Sequence, residues 1–142
     1  MVGVRNKGTN PTKFDDKMYV FWKNDKNIWE GREYAMTTDP STTYLENPMN
    51  KVATAVLPNG QYVDAWKLGK HRGEYTALVQ RKSFCVYRDY NRNAWIDFNV
   101  EDKTCGKFGI NIHRGKPRGA DDGKGNTENI GLYSAGCQVL QN

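Results

Sequence analysis

Short segments that alternate between apolar and polar residues, each bounded by turn-forming residues, constrain the fold of this chain most strongly. The run KMYVFWKND alternates and is rich in aromatic and β-branched residues, and IWEGREYAMTT follows it after the turn residues NDKN. Alternation at this period places one side of a segment in a core and the other side in solvent. The two runs therefore predict a β-hairpin.

Further segments have the same character. KVATAV and QYVDAWKLG flank a Pro-Asn-Gly turn and predict a second hairpin, and EYTALVQRK, SFCVYRD, AWIDF and FGINIHR each predict one strand. In FGINIHR, alternation places Ile110 and Ile112 on one face of the strand and Asn111 and His113 on the other.

The segment TDPSTTYLE predicts one short helix within a loop. The chain has no internal repeat and no linker, so residues 1–142 are predicted to form a single domain. We expect a mostly β fold, a sandwich or barrel of short strands with at most one or two short helices.

The net charge of +5 favours anionic partners. The basic residues are scattered, and no zinc-finger, helix-turn-helix or RNP-type pattern occurs, so nucleic acid is not a predicted partner. No apolar run has the length of a membrane span, and no segment has the pattern of a signal peptide. The protein is therefore expected to be made in the cytoplasm, without membrane insertion.

The three cysteines are an odd number, which argues against a disulfide framework in a chain without an export signal. Cys85, in the alternating run SFCVY, is predicted to be a small buried apolar residue. Cys105, in DKTCGKFG, has no predicted role. Cys137 differs because three small residues precede it in SAGC, so the backbone can turn sharply and direct amide hydrogens outward, as an oxyanion requires.

Histidine is the usual base for a cysteine nucleophile at neutral pH. His113 ends a predicted strand on its polar face, and the 23 residues between it and Cys137 form a connection longer than compact domains usually contain. We expect the two side chains to lie within hydrogen-bonding reach, although most Cys and His residues in proteins are structural or incidental.

A histidine at a strand end, a long loop and a Ser-x-Gly-Cys turn resemble the catalytic signature of the L,D-transpeptidase catalytic domain, a β-rich fold of cysteine enzymes acting on peptidoglycan stem peptides. The wider pattern, LGKHRGEYTALVQ with RDYNRN and FGINIHR…SAGCQV, is more similar to a small branch of that superfamily found in bacteria and their phages. The resemblance covers most of the chain, from about Val20 onward.

The resemblance implies a role for each matching residue. Cys137 would be the nucleophile and His113 its general base, and the backbone carbonyl of Arg114 would orient the imidazole. The amides of Gly136 and Cys137 would form the oxyanion hole, and Ser134 would brace the turn. No cofactor and no metal are implied.

Two departures from the family pattern put the substrate geometry in doubt. Position 135 is alanine where the family usually has histidine, and Gln138 and Val139 follow the cysteine where arginine or asparagine is common. In GKHRGEY, the side chains of His71, Arg72 and Tyr75 could bind a substrate carboxylate or polarise a carbonyl, and His71 could replace the missing turn histidine. A solvated basic hairpin loop is the alternative interpretation.

The run RDYNRNAWIDF places Asp89, Asn91, Asn93 and Asp97 at the first, third, fifth and ninth positions of a calcium-loop pattern. Ala94 occupies the position that favours glycine, and Val100 the position that favours glutamate. Capping of a tight hairpin by Asx-type hydrogen bonds is the alternative, and it is the one that the sequence favours.

Together these features predict a peptidoglycan stem-peptide hydrolase, an endopeptidase or carboxypeptidase resembling a bacteriophage endolysin, that works through an acyl-enzyme. Crosslinking by transpeptidation is one alternative, and a non-catalytic cell-wall-binding or phage structural module is another. The predicted partner is peptidoglycan, an anionic cell-wall polymer. The protein is expected to be a monomer that reaches the wall after release from the cell.

Overall fold

The computed structural model describes residues 1–8, 10–98, 103–115 and 128–141. Within these ranges the chain is mostly β, which confirms the predicted fold class. The strands are β1 (Val2–Val4), β2 (Asp16–Lys23), β3 (Trp29–Thr37), β4 (Thr54–Val56), β5 (Trp66–His71), β6 (Tyr75–Gln80), β7 (Phe84–Asp89), β8 (Lys103–Gly106), β9 (Ile112–Arg114) and β10 (Gln138–Leu140). The helix α1 (Thr42–Glu46) lies in the segment where a short helix was predicted.

The larger sheet has seven strands in the order β1-β2-β3-β10-β9-β6-β5. The predicted first hairpin is confirmed: β2 and β3 pair antiparallel, and the side-chain oxygen of Asn24 in their turn accepts the N–H groups of Lys26 and Ile28. Only β9 and β10, among the described strands, pair in parallel. A parallel pair requires a crossover connection, which explains how two motifs far apart in sequence become neighbours.

The smaller sheet has the order β4-β7-β8. The predicted second hairpin is therefore wrong, because β4 pairs with β7 and β5 pairs with β6. The connection between β4 and β5 is anchored on the core by the partly buried Tyr62 instead of forming a tight turn. Tyr62 donates its hydroxyl to the Pro58 carbonyl at 2.6 Å, and its ring packs edge-on against Trp66 and Phe84.

Apolar residues join the two sheets. One buried cluster contains Ala55 and Val86 of the smaller sheet with Leu57 and Ile110 from the adjoining loops, and Trp66 of β5 in the larger sheet packs against it. Trp66 also packs against a second cluster built on Ile112, and its ring N–H donates to the Ile110 carbonyl at 2.7 Å. Among the described strands β1 and β5 are the edges of the larger sheet, so the sheets form an open, layered arrangement and the barrel alternative is not observed.

The segment AWIDF does not form the predicted strand. Side-chain oxygens of Asn91 and Asn93 accept the N–H groups of Asn93 and Trp95, at 3.2 and 2.8 Å. These local bonds replace the ladder bonds that a strand would need. The strands β1, β8 and β10 were not predicted, since each has only three or four residues. No helix among the described residues is long and apolar enough to cross a membrane.

Cys85 and Cys105 form a disulfide, which corrects the prediction that Cys85 is simply a small buried apolar residue. The odd count argued against a disulfide framework and left the state of this pair open. The two residues lie directly opposite each other in the antiparallel pair β7 and β8, with their Cα atoms 3.9 Å apart. Opposed side chains in such a pair project to the same face, so the thiols meet without further adjustment. The odd cysteine count therefore consists of one bridge and one free thiol, Cys137.

Candidate active site

The pairing of β9 with β10 brings His113 and Cys137 to the same face of the larger sheet. Gln138 pairs with Ile112, and Val139 pairs with His113. Cys137 precedes Gln138 and is therefore level with Asn111, two residues from His113 along the neighbouring strand. Because side chains alternate, His113 and Cys137 project from the same face, with roughly 8 Å expected between their Cα atoms.

The imidazole of His113 is held in one tautomer. Its Nδ1 lies 2.8 Å from the carbonyl oxygen of Arg114, which is the contact that the family resemblance implies. A carbonyl can only accept, so Nδ1 carries the proton and Nε2 presents its lone pair. His113 is 4% exposed, and its Nε2 is buried without a hydrogen-bond partner in the described part of the chain. The orientation is that of a neutral base.

Tyr75 supports this orientation from behind. Its hydroxyl lies 3.1 Å from His113 Nδ1 and donates to the Arg114 carbonyl at 3.3 Å, and the Arg114 guanidinium lies over its ring. Tyr75 is buried and is not part of the cleft wall. Its position does not support the prediction that it binds substrate, because its hydroxyl and ring are already occupied. Tyr75 is better described as a positioning residue for His113.

His71 ends β5 and stacks on His113, with ring centroids 4.0 Å apart. The Asn111 amide donates to His71 Nδ1 at 3.1 Å, which leaves the second ring nitrogen of His71 protonated in the neutral form. His71 is buried and lines the same cleft as Cys137. The alternative of a solvated hairpin loop therefore does not describe this residue, although neighbouring Arg72 is exposed at the turn, with φ 50°.

Cys137 is partly buried at the wall of an open cleft of about 800 Å³. Its thiol donates to the Gly109 carbonyl at 3.5 Å and is not hydrogen-bonded to His113, whose Nε2 has no partner. The expectation of a direct thiol–imidazole bond is not met in this conformation. Rotation of the Cys137 side chain about χ1 moves the sulfur among three staggered positions, and catalytic hydrogen bonds often form only when substrate binds.

Ser134 braces the turn as the resemblance implies. Its buried hydroxyl lies 2.7 Å from the carbonyl of Asp39 and 2.8 Å from that of Cys137, and it accepts a long bond from the Gly136 amide at 3.4 Å. Gly136 has φ 114°, and a Cβ there would lie 2.4 Å from the Ala55 carbonyl oxygen, so only glycine fits.

The bond to Ser134 turns the Gly136 amide towards the interior, away from the predicted oxyanion position. The Cys137 amide has no acceptor among the described residues and remains available as an oxyanion donor.

The cleft is cationic. Lys51, Arg72, Arg88 and Lys107 line it, and no acidic residue occurs among the described residues that form its wall. Arg88 is committed to the fold, since it donates to Thr104 and to the Ala53 carbonyl and lies over the Phe108 ring. The other three cations form no salt bridge with any described carboxylate. Such a wall favours a substrate that carries carboxylates.

Burial keeps both candidate catalytic groups neutral at rest. It lowers the pKa of His113 to about 4, although the bond to the Arg114 carbonyl opposes this shift. Burial also raises the pKa of the Cys137 thiol, against the opposing effects of the Asn111 backbone N–H and the charge of Arg72. A preformed thiolate–imidazolium pair is therefore not the resting state. Two neutral groups suit a mechanism in which His113 removes the Cys137 proton while the sulfur attacks the substrate.

No protein-family model matches the sequence, and no curated protein or solved structure matches it either. The functional argument therefore depends on the residues and geometry of this chain. The sequence singled out His113, Arg114, Ser134, Gly136 and Cys137, and the structure brings them together at the junction of β9 and β10. Asn111 was assigned only to the polar strand face, although its amide holds His71.

Proposed function

We propose that this protein cleaves peptidoglycan stem peptides with Cys137 as nucleophile and His113 as general base. The observation that carries the proposal is the His113 tautomer. Nδ1–H is fixed on the Arg114 carbonyl, and a free Nε2 lone pair lies on the sheet face from which Cys137 projects into the cleft. A histidine in a merely structural role would be expected to use both ring nitrogens when it is this deeply buried.

The chemistry proceeds through a thioester. His113 Nε2 takes the Cys137 proton as the sulfur attacks a peptide carbonyl carbon, and the oxyanion is stabilised by the Cys137 amide. The C–N bond then breaks, and the imidazolium returns its proton to the leaving amine. Water attacks the thioester while His113 accepts a proton from it, so that a carboxylate is released and the thiol is restored. In transpeptidation, a second amine would take the place of water.

The charge of the cleft supports this substrate class. Stem peptides carry carboxylates, and Lys51, Arg72 and Lys107 offer cations without described ionic partners. The net charge of +5 favours approach to an anionic wall. The resemblance to the L,D-transpeptidase catalytic domain points to the same substrate. We therefore favour an endolysin-like hydrolase that acts on the wall after release from the cell in which it is made.

Digestion of purified sacculi tests the proposal. The parent protein is expected to release soluble peptides with new amino termini or shortened stems, identified by mass spectrometry, whereas new crosslinks would indicate transfer. Stems with free carboxylates should be cut faster than amidated stems, because the cleft is cationic. Cys137→Ala should fold as the parent does and release nothing. Equal release by that variant would refute the nucleophile assignment.

A non-catalytic wall-binding module is the second candidate. It is favoured by the raised thiol pKa of Cys137 and by the absence of a bond between its sulfur and His113. This candidate predicts that sacculi retain the protein equally well when Cys137 is replaced by alanine, and that no peptide is released by either form. Retention and product analysis on the same samples therefore distinguish the two functions.

A further inference from the structure

The side chain of Asp89 has an unusual environment at the end of β7. It is 0% exposed, and neither of its carboxylate oxygens has a hydrogen-bond partner among the described residues. Transfer of an unpaired carboxylate from water into a protein interior is costly, so such groups are protonated, paired with a cationic side chain or bound to a metal ion. Arg88, the adjacent cation, faces the other side of the strand and bonds to Thr104 and Ala53.

The loop that follows β7 brings further oxygen atoms to this carboxylate. Tyr87 and Asp89 share a face of the strand by alternation, and the ring of Phe98 packs against Tyr87 with centroids 6.0 Å apart. The loop therefore returns across the face from which Asp89 projects. Asp97 directly precedes Phe98, so the same return of the loop carries its carboxylate towards that face.

The two asparagines of the loop lie between Asp89 and Asp97 in the sequence, and one of them contacts Asp97. The Asn91 amide donates to an Asp97 carboxylate oxygen, so these two side chains are in direct contact. The side-chain carbonyls of Asn91 and Asn93 each accept one backbone N–H and retain a second lone pair. Two carboxylates and two amide oxygens are hard ligands, which calcium accepts and zinc does not favour.

From the buried, unpartnered Asp89 carboxylate and the oxygen donors around it, we infer that residues 89–97 form a calcium site. Its donors are Asp89, Asn91, Asn93 and Asp97, whose spacing is that of a calcium loop. The carboxylates of Asp89 and Asp97 balance the charge of a calcium ion. The ion would be the partner that the Asp89 oxygens lack among the described residues. No described group of three or more His, Cys, Asp or Glu side chains could hold a metal ion, so the amide oxygens are essential to this site.

Without a bidentate glutamate the affinity is expected to be low, with a dissociation constant on the order of 10⁻⁴ to 10⁻³ M. Calcium that binds only the native state then raises the unfolding temperature by roughly 5 °C at about 10 mM. The site is separate from the cleft that contains Cys137, and its test does not depend on peptidoglycan cleavage.

The test is thermal unfolding of the full chain, with the disulfide intact, in CaCl₂ and in NaCl of equal ionic strength. The parent should be stabilised by calcium, and Asp89→Asn should lose that shift while unfolding at or above the parental temperature without calcium. Asp97→Asn, at an exposed position, should lose the shift as well. It keeps the inference testable if Asp89→Asn does not fold. Asp25→Asn, in the β2–β3 turn, makes the same change in charge and should keep the calcium-dependent shift in unfolding temperature.

Terbium luminescence gives an independent measurement on the same proteins. Trp95 lies within the loop, so its excitation should sensitise bound terbium in the parent but not in Asp89→Asn or Asp97→Asn. Absence of a calcium-specific shift in the parent, an equal shift in both variants, or stabilisation by magnesium alone would overturn the inference.

Discussion

The two cysteine environments of this protein differ because of strand register. Cys85 and Cys105 lie opposite each other in an antiparallel pair and form a disulfide. Cys137 precedes β10, where its neighbour on the parallel strand is Asn111, and it remains a thiol at the wall of a cationic cleft. The comparison shows that an odd cysteine count can combine a structural bridge with a single thiol that is available for chemistry.

The residues around the disulfide and those around Cys137 also differ in what they contribute. The disulfide joins the last two strands of the smaller sheet and contributes to stability. Cys137 projects from the same sheet face as the buried His113, follows a glycine that no other residue can replace, and accepts a hydrogen bond from Ser134 at its carbonyl. We therefore expect substitutions in the two regions to affect different properties, activity in one and stability in the other.

The largest effect is expected for His113→Gln. Loss of the proposed general base should lower kcat by about 10²- to 10⁴-fold with little change in KM, because a general base acts in proton transfer and not in substrate binding. Kinetics of peptide release from sacculi provide the measurement. His71→Gln is the matched control, since His71 lines the cleft and stacks on His113. A larger loss of kcat in His71→Gln than in His113→Gln would indicate that His71 is the base.

Removal of the disulfide should show the opposite pattern. Replacing Cys85 and Cys105 by alanine opens a link between residues 20 apart, and the free energy of unfolding should fall by about 3 kcal/mol. Urea denaturation provides that value. The alkylation rate of Cys137 should stay within a factor of two of the parental rate, as a rough bound on indirect effects. A large change in that rate with unchanged stability would contradict the division between the two regions.

The pKa of His113 predicts a pH-dependent stability. Its native pKa is about 4, below the ordinary value, so between roughly pH 6.5 and 4 the unfolded chain binds a proton that the native protein does not. The contribution of His113 to stability should therefore fall on acidification through this window, by up to about 3 kcal/mol. Asp39 and Asp89, whose pKa values burial raises to about 6, act in the opposite direction.

The comparison of parent with His113→Gln isolates the histidine contribution. Denaturation curves at pH values across the window should converge for the two proteins as pH falls, since only the parent loses the histidine-dependent stability. Parallel curves at every pH would show that His113 titrates normally and is not buried as a neutral base.

The sequence was sufficient to predict the strands with clear alternation, the short helix and the residues of the β9–β10 junction. It failed where pairing depends on distant segments. The run before Pro58 and the run after it both form strands, but in different sheets, because Tyr62 packs into the core between them. The disulfide was missed for a related reason, since the register that places Cys85 opposite Cys105 is a tertiary property.

The candidate site shows the same limit. Motif spacing singled out Cys137 as the candidate nucleophile and His113 as the candidate base, and alternation correctly placed Asn111 with His113 on the polar face. It gave no information on which side chains would stabilise the imidazole, so Tyr75 was assigned to substrate instead of to His113. Residues 116–127, which belong to the long connection singled out by the sequence, lie outside the described residues.

Mapping of the covalent intermediate tests the central claim most directly. Sacculi are incubated with the parent protein, the reaction is quenched in acid at early times, and the protein is analysed by peptide mass spectrometry. A stem-peptide acyl group should be attached to Cys137 as a hydroxylamine-sensitive thioester, and should accumulate when water attack is slowed. An acyl group on a different residue, or product release at the parental rate by Cys137→Ala, would contradict it.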